Sequence, residues 1–281
     1  MLSGNEDYEP TEPMADNYSA IKHYWHIWLQ SNVMNFRVNT SSKLEFVSYV
    51  VAKILRLCFF VFFVFALFRN TESLVGYNRG EVLLFCSFMT TIDVAFQLFC
   101  RGITTVPTMV RKGEYDILLT KPVSPFFLSC FKMFDIMDLV TLFPTIYFVY
   151  LAVQQLPYAI SGLNIGLAAV AWICSLIMAV SLNVLISSLA FWVTEIENGV
   201  WIYRDLVYVG RFPPEVFPQV IRNIFTFVIP ILLIVATPTK ALTGKADMLT
   251  IVVMFMMTIA LVTLSSLMWK KALRRYASAS A

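Results

Sequence analysis

Apolar residues run through this chain in long unbroken blocks, without the strict alternation of a half-buried strand, so helices are the elements predicted to span a membrane. A bilayer core of about 30 Å takes roughly 20 helical residues. Leu139 to Thr194 is 56 residues without a charge, enough for two spans folded back at Gln154–Gly162. Met248 to Trp269 is a clean block of 22 residues. Val82 to Cys100 is interrupted only by Asp93, and Phe46 to Phe68 carries Lys53 and Arg56 in its first half. Phe217 to Ala236 contains Arg222 near its start and Pro230 in its middle. The pattern predicts an all-α integral membrane protein with six spans, at about 46–68, 82–104, 130–153, 163–190, 217–236 and 248–269.

Ahead of the first span, 21–36 places Ile21, Trp25, Trp28 and Leu29 three and four apart. That spacing predicts an amphipathic helix, lying in the membrane interface or packed on the protein itself. His23 and His26 are three apart on it, but two imidazoles without a third ligand do not make a metal site. Residues 1–20 carry Glu6, Asp7, Glu9, Glu12 and Asp16 without a Lys or Arg, which predicts a disordered acidic tail and not a signal peptide. Residues 21–281 form the membrane domain.

Composition agrees. The chain is 58% hydrophobic and 14% charged, against about 25% charge in soluble domains, and its mean hydropathy is +0.71. Of 21 Lys and Arg, all but Arg69, Arg79, Lys240 and Lys245 fall on the side of the termini. The positive-inside rule therefore puts both termini in the cytoplasm of a cell whose plasma (in a bacterium, inner) membrane holds the chain. The five cysteines all lie in or beside apolar blocks and read as packing residues.

The exception to apolarity is a polar island, Arg111-Lys-Gly-Glu-Tyr-Asp-Ile-Leu-Leu-Thr-Lys-Pro122, between the second and third spans. Residues 104–110 can form one short helix, Gly113 can end it in a left-handed cap, and Asp116–Leu119 can start another turn stopped by Pro122 and Pro125. Mixed charge with the pair Leu118-Leu119 exposed suits docking in a groove of a soluble partner. The alternative is an ordinary cytoplasmic loop. Asp93 is the one carboxylate deep inside a span, marking either a pathway or a local hydrogen-bonding need. Asp135 and Asp138, with Lys132 on the same face, read as a local ion pair. Gly162 and Gly166, followed by Ala168, Ala169 and Ala171, permit close helix packing within or between subunits. Pro230 divides the fifth span, and Pro238–Gly244 reads as an outer loop or re-entrant turn.

Gly113-Glu-Tyr-Asp116-Ile-Leu118-Leu119-Thr-Lys121-Pro122 resembles the G-x-h-D-x-L-L-x-R-P segment of ABC-2 type transporter permeases, in the branch long labelled uncharacterised, with Lys121 where Arg is usual. Arg211-Phe-Pro213 through Pro218, Ile229-Pro230 and Pro238, and the terminal Leu273-Arg-Arg275-Tyr276-Ala-Ser278-Ala279 resemble further segments of the same family, so that the likeness spans residues 24–281. It implies a dimeric permease, of identical or related chains, carrying two separate ABC ATPase subunits and exporting a substrate that the many aromatic residues allow to be amphiphilic. The first, second and fifth spans would line its path, with Asp93 and Pro230 as candidate pathway residues. The island, over about 105–122, would be a coupling helix braced by the N-terminal helix. Its contact residues would be Arg111, Gly113, Glu114, Tyr115, Asp116, Leu118, Leu119, Lys121 and Pro122.

The chain has no G-x-x-x-x-G-K-[ST], so ATP and Mg would be bound by the partner ATPase and this subunit is not itself an enzyme. No catalytic, cofactor or metal residues are assigned, and lipid is an expected partner while nucleic acid is not. The other reading of the island is a membrane scaffold that docks a cytoplasmic protein without transport. An intramembrane enzyme would have only Asp93, Asp135 and Asp138 as acids, with no His, Ser or metal constellation beside them.

Overall fold

In the computed structural model, residues 24–33, 43–69, 71–193 and 197–279 are described, and the acidic tail lies outside them. Among these residues the fold is all-helical, with a single isolated bridge between Leu74 and Tyr77. The helices are α1 (24–33), α2 (Lys43–Leu67), α3 (Arg79–Cys100), α4 (Val106–Arg111), α5 (Asp116–Leu119), α6 (Pro125–Phe131), α7 (Ile136–Gln154), α8 (Gly162–Leu189), α9 (Glu197–Val207), α10 (Gln219–Asn223), α11 (Ile231–Leu242) and α12 (Met248–Ala279). Four stretches are long and apolar enough to cross a membrane: Phe46–Leu67, Arg79–Arg111, Gly162–Leu189 and Met248–Tyr276. A fifth is a pair, Gln219–Val228 and Ile231–Leu242, bent by 92°. The expected third span is shorter than predicted. Its helix breaks after α6, and the apolar part of α7 is Asp138–Gln154. The break coincides with Asp135, whose carbonyl accepts the first α7 amide hydrogens from Asp138 (3.0 Å) and Leu139 (3.4 Å).

Helix α3 is the axis of the bundle. Its start is set by a capping box in which Asn78 accepts from the Glu81 amide and Glu81 accepts from the Asn78 amide, each at 3.0 Å. It is buried along nearly its whole length against α7, α8, α11 and α2, with Leu84 and Phe85 wholly enclosed. Its hydroxyls return bonds to its own carbonyls, as Ser87 does to Leu83, and Trp172 of α8 donates to Thr91 at 3.0 Å. The close approach of α8 to its neighbours uses Ala168, Ala171 and Ser175, which are buried. Gly162 and Gly166 have nothing within 4 Å of where a Cβ would sit, so the glycine pair does not pack a helix within the chain.

The segment expected as one span over 217–236 is two arms meeting at Ile229–Pro230. Pro238 lies inside α11, not in an outer loop. A proline there cannot donate to the carbonyl four residues back, and that carbonyl, of Ile234, instead accepts from Ser175 of α8 at 2.5 Å. Glu215, just before the first arm, is ion-paired at 2.6 Å to Lys240, near the end of the second. The chain from 215 to 240 therefore leaves and returns to one place, as a hairpin does and a through-going broken span does not. That place is the end of the bundle remote from the island, since Lys245, just beyond α11, bonds to Glu81 at 2.8 Å at the start of α3.

At the other end, α1 packs on the corner between α6 and α7. Tyr24 meets Phe127 edge-on at 4.9 Å, Trp28 meets Phe134 at 5.6 Å, and the Asn32 side chain accepts from the Phe134 amide at 2.6 Å. Trp25, Leu29 and Val33 face outward, and His26 pairs with Gln30 at 2.9 Å. The helix expected over 21–36 is thus seen for 24–33 and rests on the protein, while His23 lies outside the described residues.

Two outcomes test the hairpin. In a Cys58→Ala background, because Cys58 is exposed and the other four cysteines are buried, Cys at 215 and 240 should join through a short thiol crosslinker, whereas a through-going span would keep them apart. Burial, the largest single influence, pushes the Glu215 carboxyl up, but the hydrogen bond and positive charge of Lys240, joined by bonds from a backbone amide and Tyr77, together outweigh it and hold the group below its ordinary 4.5. The pair then stabilises the fold fully above that ordinary value and loses its effect as pH falls through the lower folded one. The melting-temperature gap between the wild type and Glu215→Gln should be constant near neutrality and shrink below about pH 4.5.

Candidate functional site

The island folds as two short helices around one capped turn. Helix α3 runs through a 3-10 turn, Arg101–Thr105, into α4. Gly113 takes φ 70°, its amide donates to Val110 at 3.1 Å, and the Glu114 amide donates to Met109 at 2.9 Å. This six-to-one and five-to-two pair is a Schellman cap, and the left-handed position is one that glycine occupies without strain. The sequence expectation of a short helix, a Gly113 cap and a new turn at Asp116 matches the fold.

Its two faces differ from expectation in one respect. Arg111, Lys112, Gly113, Glu114, Asp116, Ile117, Lys121 and Pro122 are exposed, and Ile117 shows 60% of its surface. Tyr115 and Leu118 are buried and Leu119 is half-buried, so the leucine pair is not an outward contact. The reason is the aromatic floor beneath them. The Tyr115 ring meets Phe191 at 5.1 Å and Tyr276 at 5.6 Å, both edge-on, and its hydroxyl lies 3.2 Å from that of Ser129. Phe191 in turn meets Trp269 at 6.0 Å. Burial pushes the Tyr115 phenol up to about 12, so it stays neutral. Asp116 accepts a hydrogen bond from Tyr276. The island is thereby bolted to α6, to the end of α8 and to α12.

Behind it the 3-10 turn is pressed onto α6. A Cβ on Gly102 would fall 2.5 Å from the Ser129 carbonyl oxygen, and Ser187 of α8 donates to the Ile103 carbonyl at 2.9 Å. Arg101 forms an ion pair with Asp135, and Lys53 of α2 forms one with Asp138. Both carboxylates are buried. These are ties between helices, where the spacing suggested a local pair with Lys132.

Asp93 is half-buried at mid-α3 and accepts from Gln97, one turn on, at 2.9 Å. It borders a cavity of about 260 Å³ bounded by α3, α4, α8, α9 and α11, with Arg101, Asn183, Tyr203 and Arg204 among its polar lining. Pro230 sits at the vertex of the hairpin, away from that lining. Sequence reading passed over Glu81, Arg204 and Tyr208. The single-residue signal available was a carboxylate or guanidinium within a few residues of an apolar block, which also describes an ordinary span end.

Removing the buried side of the island should cost far more than changing its exposed side. Tyr115→Ala is expected to lower stability by about 3–5 kcal/mol and Glu114→Lys by no more than about 0.5 kcal/mol, as read from thermal unfolding of the purified protein.

A family model described as "ABC-2 family transporter protein" matches residues 54–280 of this chain. No curated protein and no solved structure matches it.

Proposed function

Because the chain belongs to the ABC-2 family of transporter proteins, a family of multi-pass membrane subunits, we propose that it is the permease of an ATP-driven exporter whose separate ATPases dock on the island. The observation that carries this reading is the two-faced island. Its outer side presents charges and Ile117 to solvent, while its inner side is locked through Tyr115 and Leu118 to the ends of α8 and α12. A partner that pulls on the outer side moves those helices. The sequence contains no phosphate-binding loop of its own, so ATP and Mg belong to the partner. Two ATPases and a second permease chain complete the assembly.

The topology that serves this function has six crossings, with the fifth reassigned. Going along the chain, Arg204 neighbours Tyr49, Tyr208 meets Arg56, and Phe212 meets Phe60 and Phe63. Contacts that advance in step on both segments mean that 204–212 runs beside α2 in the same direction. It ends at Glu215, on the side remote from the island. The fifth crossing is therefore the polar stretch 197–213, and 219–242 is a hairpin dipping in from the outer side. Helix α7 crosses with Asp138–Gln154, near the lower limit of about 17 residues. Arg222 moves to the outer side and the excess of Lys and Arg on the island side survives, which keeps the island and both termini cytoplasmic.

The double change Glu114→Lys with Ile117→Asp, which alters only exposed residues, should abolish co-purification of an ATPase subunit from the native host and the ATP turnover of the complex. Survival of both would refute docking at the island. Intact assembly with no ATP-dependent uptake into inverted vesicles would instead favour a scaffold.

A further inference from the structure

The cavity of about 260 Å³ at the root of the island has a lining of two kinds. Part of it is apolar, with Ile92 and Phe96 from α3, Ala179 from α8, and Ile234 and Val235 from α11. Part is uncharged and polar, with Thr104 and Thr105 from the 3-10 turn and Asn183 from α8. One bond brings that polar part together. Ser187, one turn beyond Asn183, donates to the carbonyl of Ile103, the neighbour of Thr104, at 2.9 Å.

The protons of the polar part are already committed. Thr104 donates to the Arg101 carbonyl and Thr105 to the Gly102 carbonyl, each at 2.8 Å. The Asn183 amide nitrogen donates to the Ala179 carbonyl at 2.9 Å. The two threonine hydroxyls can then only accept, and Asn183, its nitrogen turned to its own helix, has its oxygen left to accept. Tyr203, on the same lining, carries a hydroxyl that can give or take a proton. Charged groups on the lining are bonded within the chain: Arg101 to Asp135, Asp93 to Gln97 and Arg204 to Tyr208. A neutral guest leaves those bonds in place.

Size and polarity narrow the guest further. A cavity of about 150 Å³ is enough to hold benzene, and a buried water needs about two to four polar partners, which the apolar part of the lining does not supply. The space suits a body larger than benzene with a proton to donate at one end. We propose that this cavity binds a small neutral hydrocarbon bearing a hydroxyl, of alkylphenol size. Its hydroxyl donates to an oxygen of Thr104, Thr105 or Asn183, and its body lies against Phe96, Ile234 and Val235. Such a guest touches the 3-10 turn, α8 and α11 at once, and so braces the root of the island against the membrane helices. Binding needs no ATPase, so this site and docking at the island stand or fall separately.

The test uses the full chain in phosphatidylcholine nanodiscs and two probes followed by fluorine NMR, para-trifluoromethylphenol and para-trifluoromethylanisole. The anisole keeps the body and the oxygen but has no proton to donate. At about pH 6 the phenol is neutral, and discs without protein give the partitioning background, so that only saturable binding is counted. The phenol should bind at least tenfold more tightly than the anisole. Ala179→Phe, which fills the space from α8, should abolish saturable binding of both. Thr104→Val combined with Asn183→Leu removes two of the accepting oxygens at nearly constant shape, and should narrow the gap between the probes at least threefold. This second variant keeps the test valid if Ala179→Phe fails to fold. Thr263→Val, at an exposed position on α12, should change nothing.

Equal binding of the two probes, no saturable binding of either, or an equal loss in Thr263→Val overturns the proposal. The brace has its own readout. With the phenol bound, the backbone amides of 101–111 should exchange with deuterium at least threefold more slowly in the wild type and at an unchanged rate in Ala179→Phe. Unchanged exchange in the wild type refutes the brace.

Discussion

Two carboxylates, Asp135 and Asp138, are buried where an apolar bundle can least accommodate a lone charge, and the placing of the surrounding helices follows from how they are met. Asp138 holds Lys53 and with it α2 against α7, while Asp135 holds Arg101 and with it the end of α3 against the corner of α6 and α7. Leaving one partner of such a pair unmatched costs about 3–5 kcal/mol, so neither helix can drift. The same corner receives α1 through Asn32 and Phe134. The island begins one turn beyond Arg101, and its position is inherited from that ion pair.

From there the packing is continuous. Gly102 lets the 3-10 turn touch α6, Ser187 ties it to α8, and Tyr115 seats the second turn on aromatic rings from α8 and α12. A load applied at Ile117 or Glu114 is carried by packed rings and not by a flexible loop. The remote end is closed by other means, through Lys245 on Glu81 and Lys240 on Glu215. Between the two ends Arg56, Arg204 and Arg211 gather on Tyr208, where α2 meets the segment 204–211.

Much of the helical plan was legible. Long apolar blocks, the Asp93 interruption, the Gly113 cap and the turn at Asp116 are local properties, and local spacing reports them. What was misread turned on partners distant in sequence. Leu118 looked like a contact residue because nothing local reveals the rings of Phe191, Trp269 and Tyr276 below it. The spacing of Asp135 and Asp138 offers only Lys132 as a partner, while the ion pairs with Arg101 and Lys53 reach 34 and 85 residues away. The apolar window 217–236 reads locally as one helix, and the 92° bend within it and the meeting of Glu215 with Lys240 are tertiary properties.

Sequence alone determined that this is a helical membrane protein, where its polar island lies and how that island turns. These follow from hydropathy and glycine geometry, each readable residue by residue. Only the tertiary structure decided which side of the island faces outward, that 215 and 240 meet, and that three arginines share one tyrosine. Each of those depends on which distant groups share a low-dielectric interior, where an unpaired charge or an unfilled carbonyl costs enough to choose the arrangement.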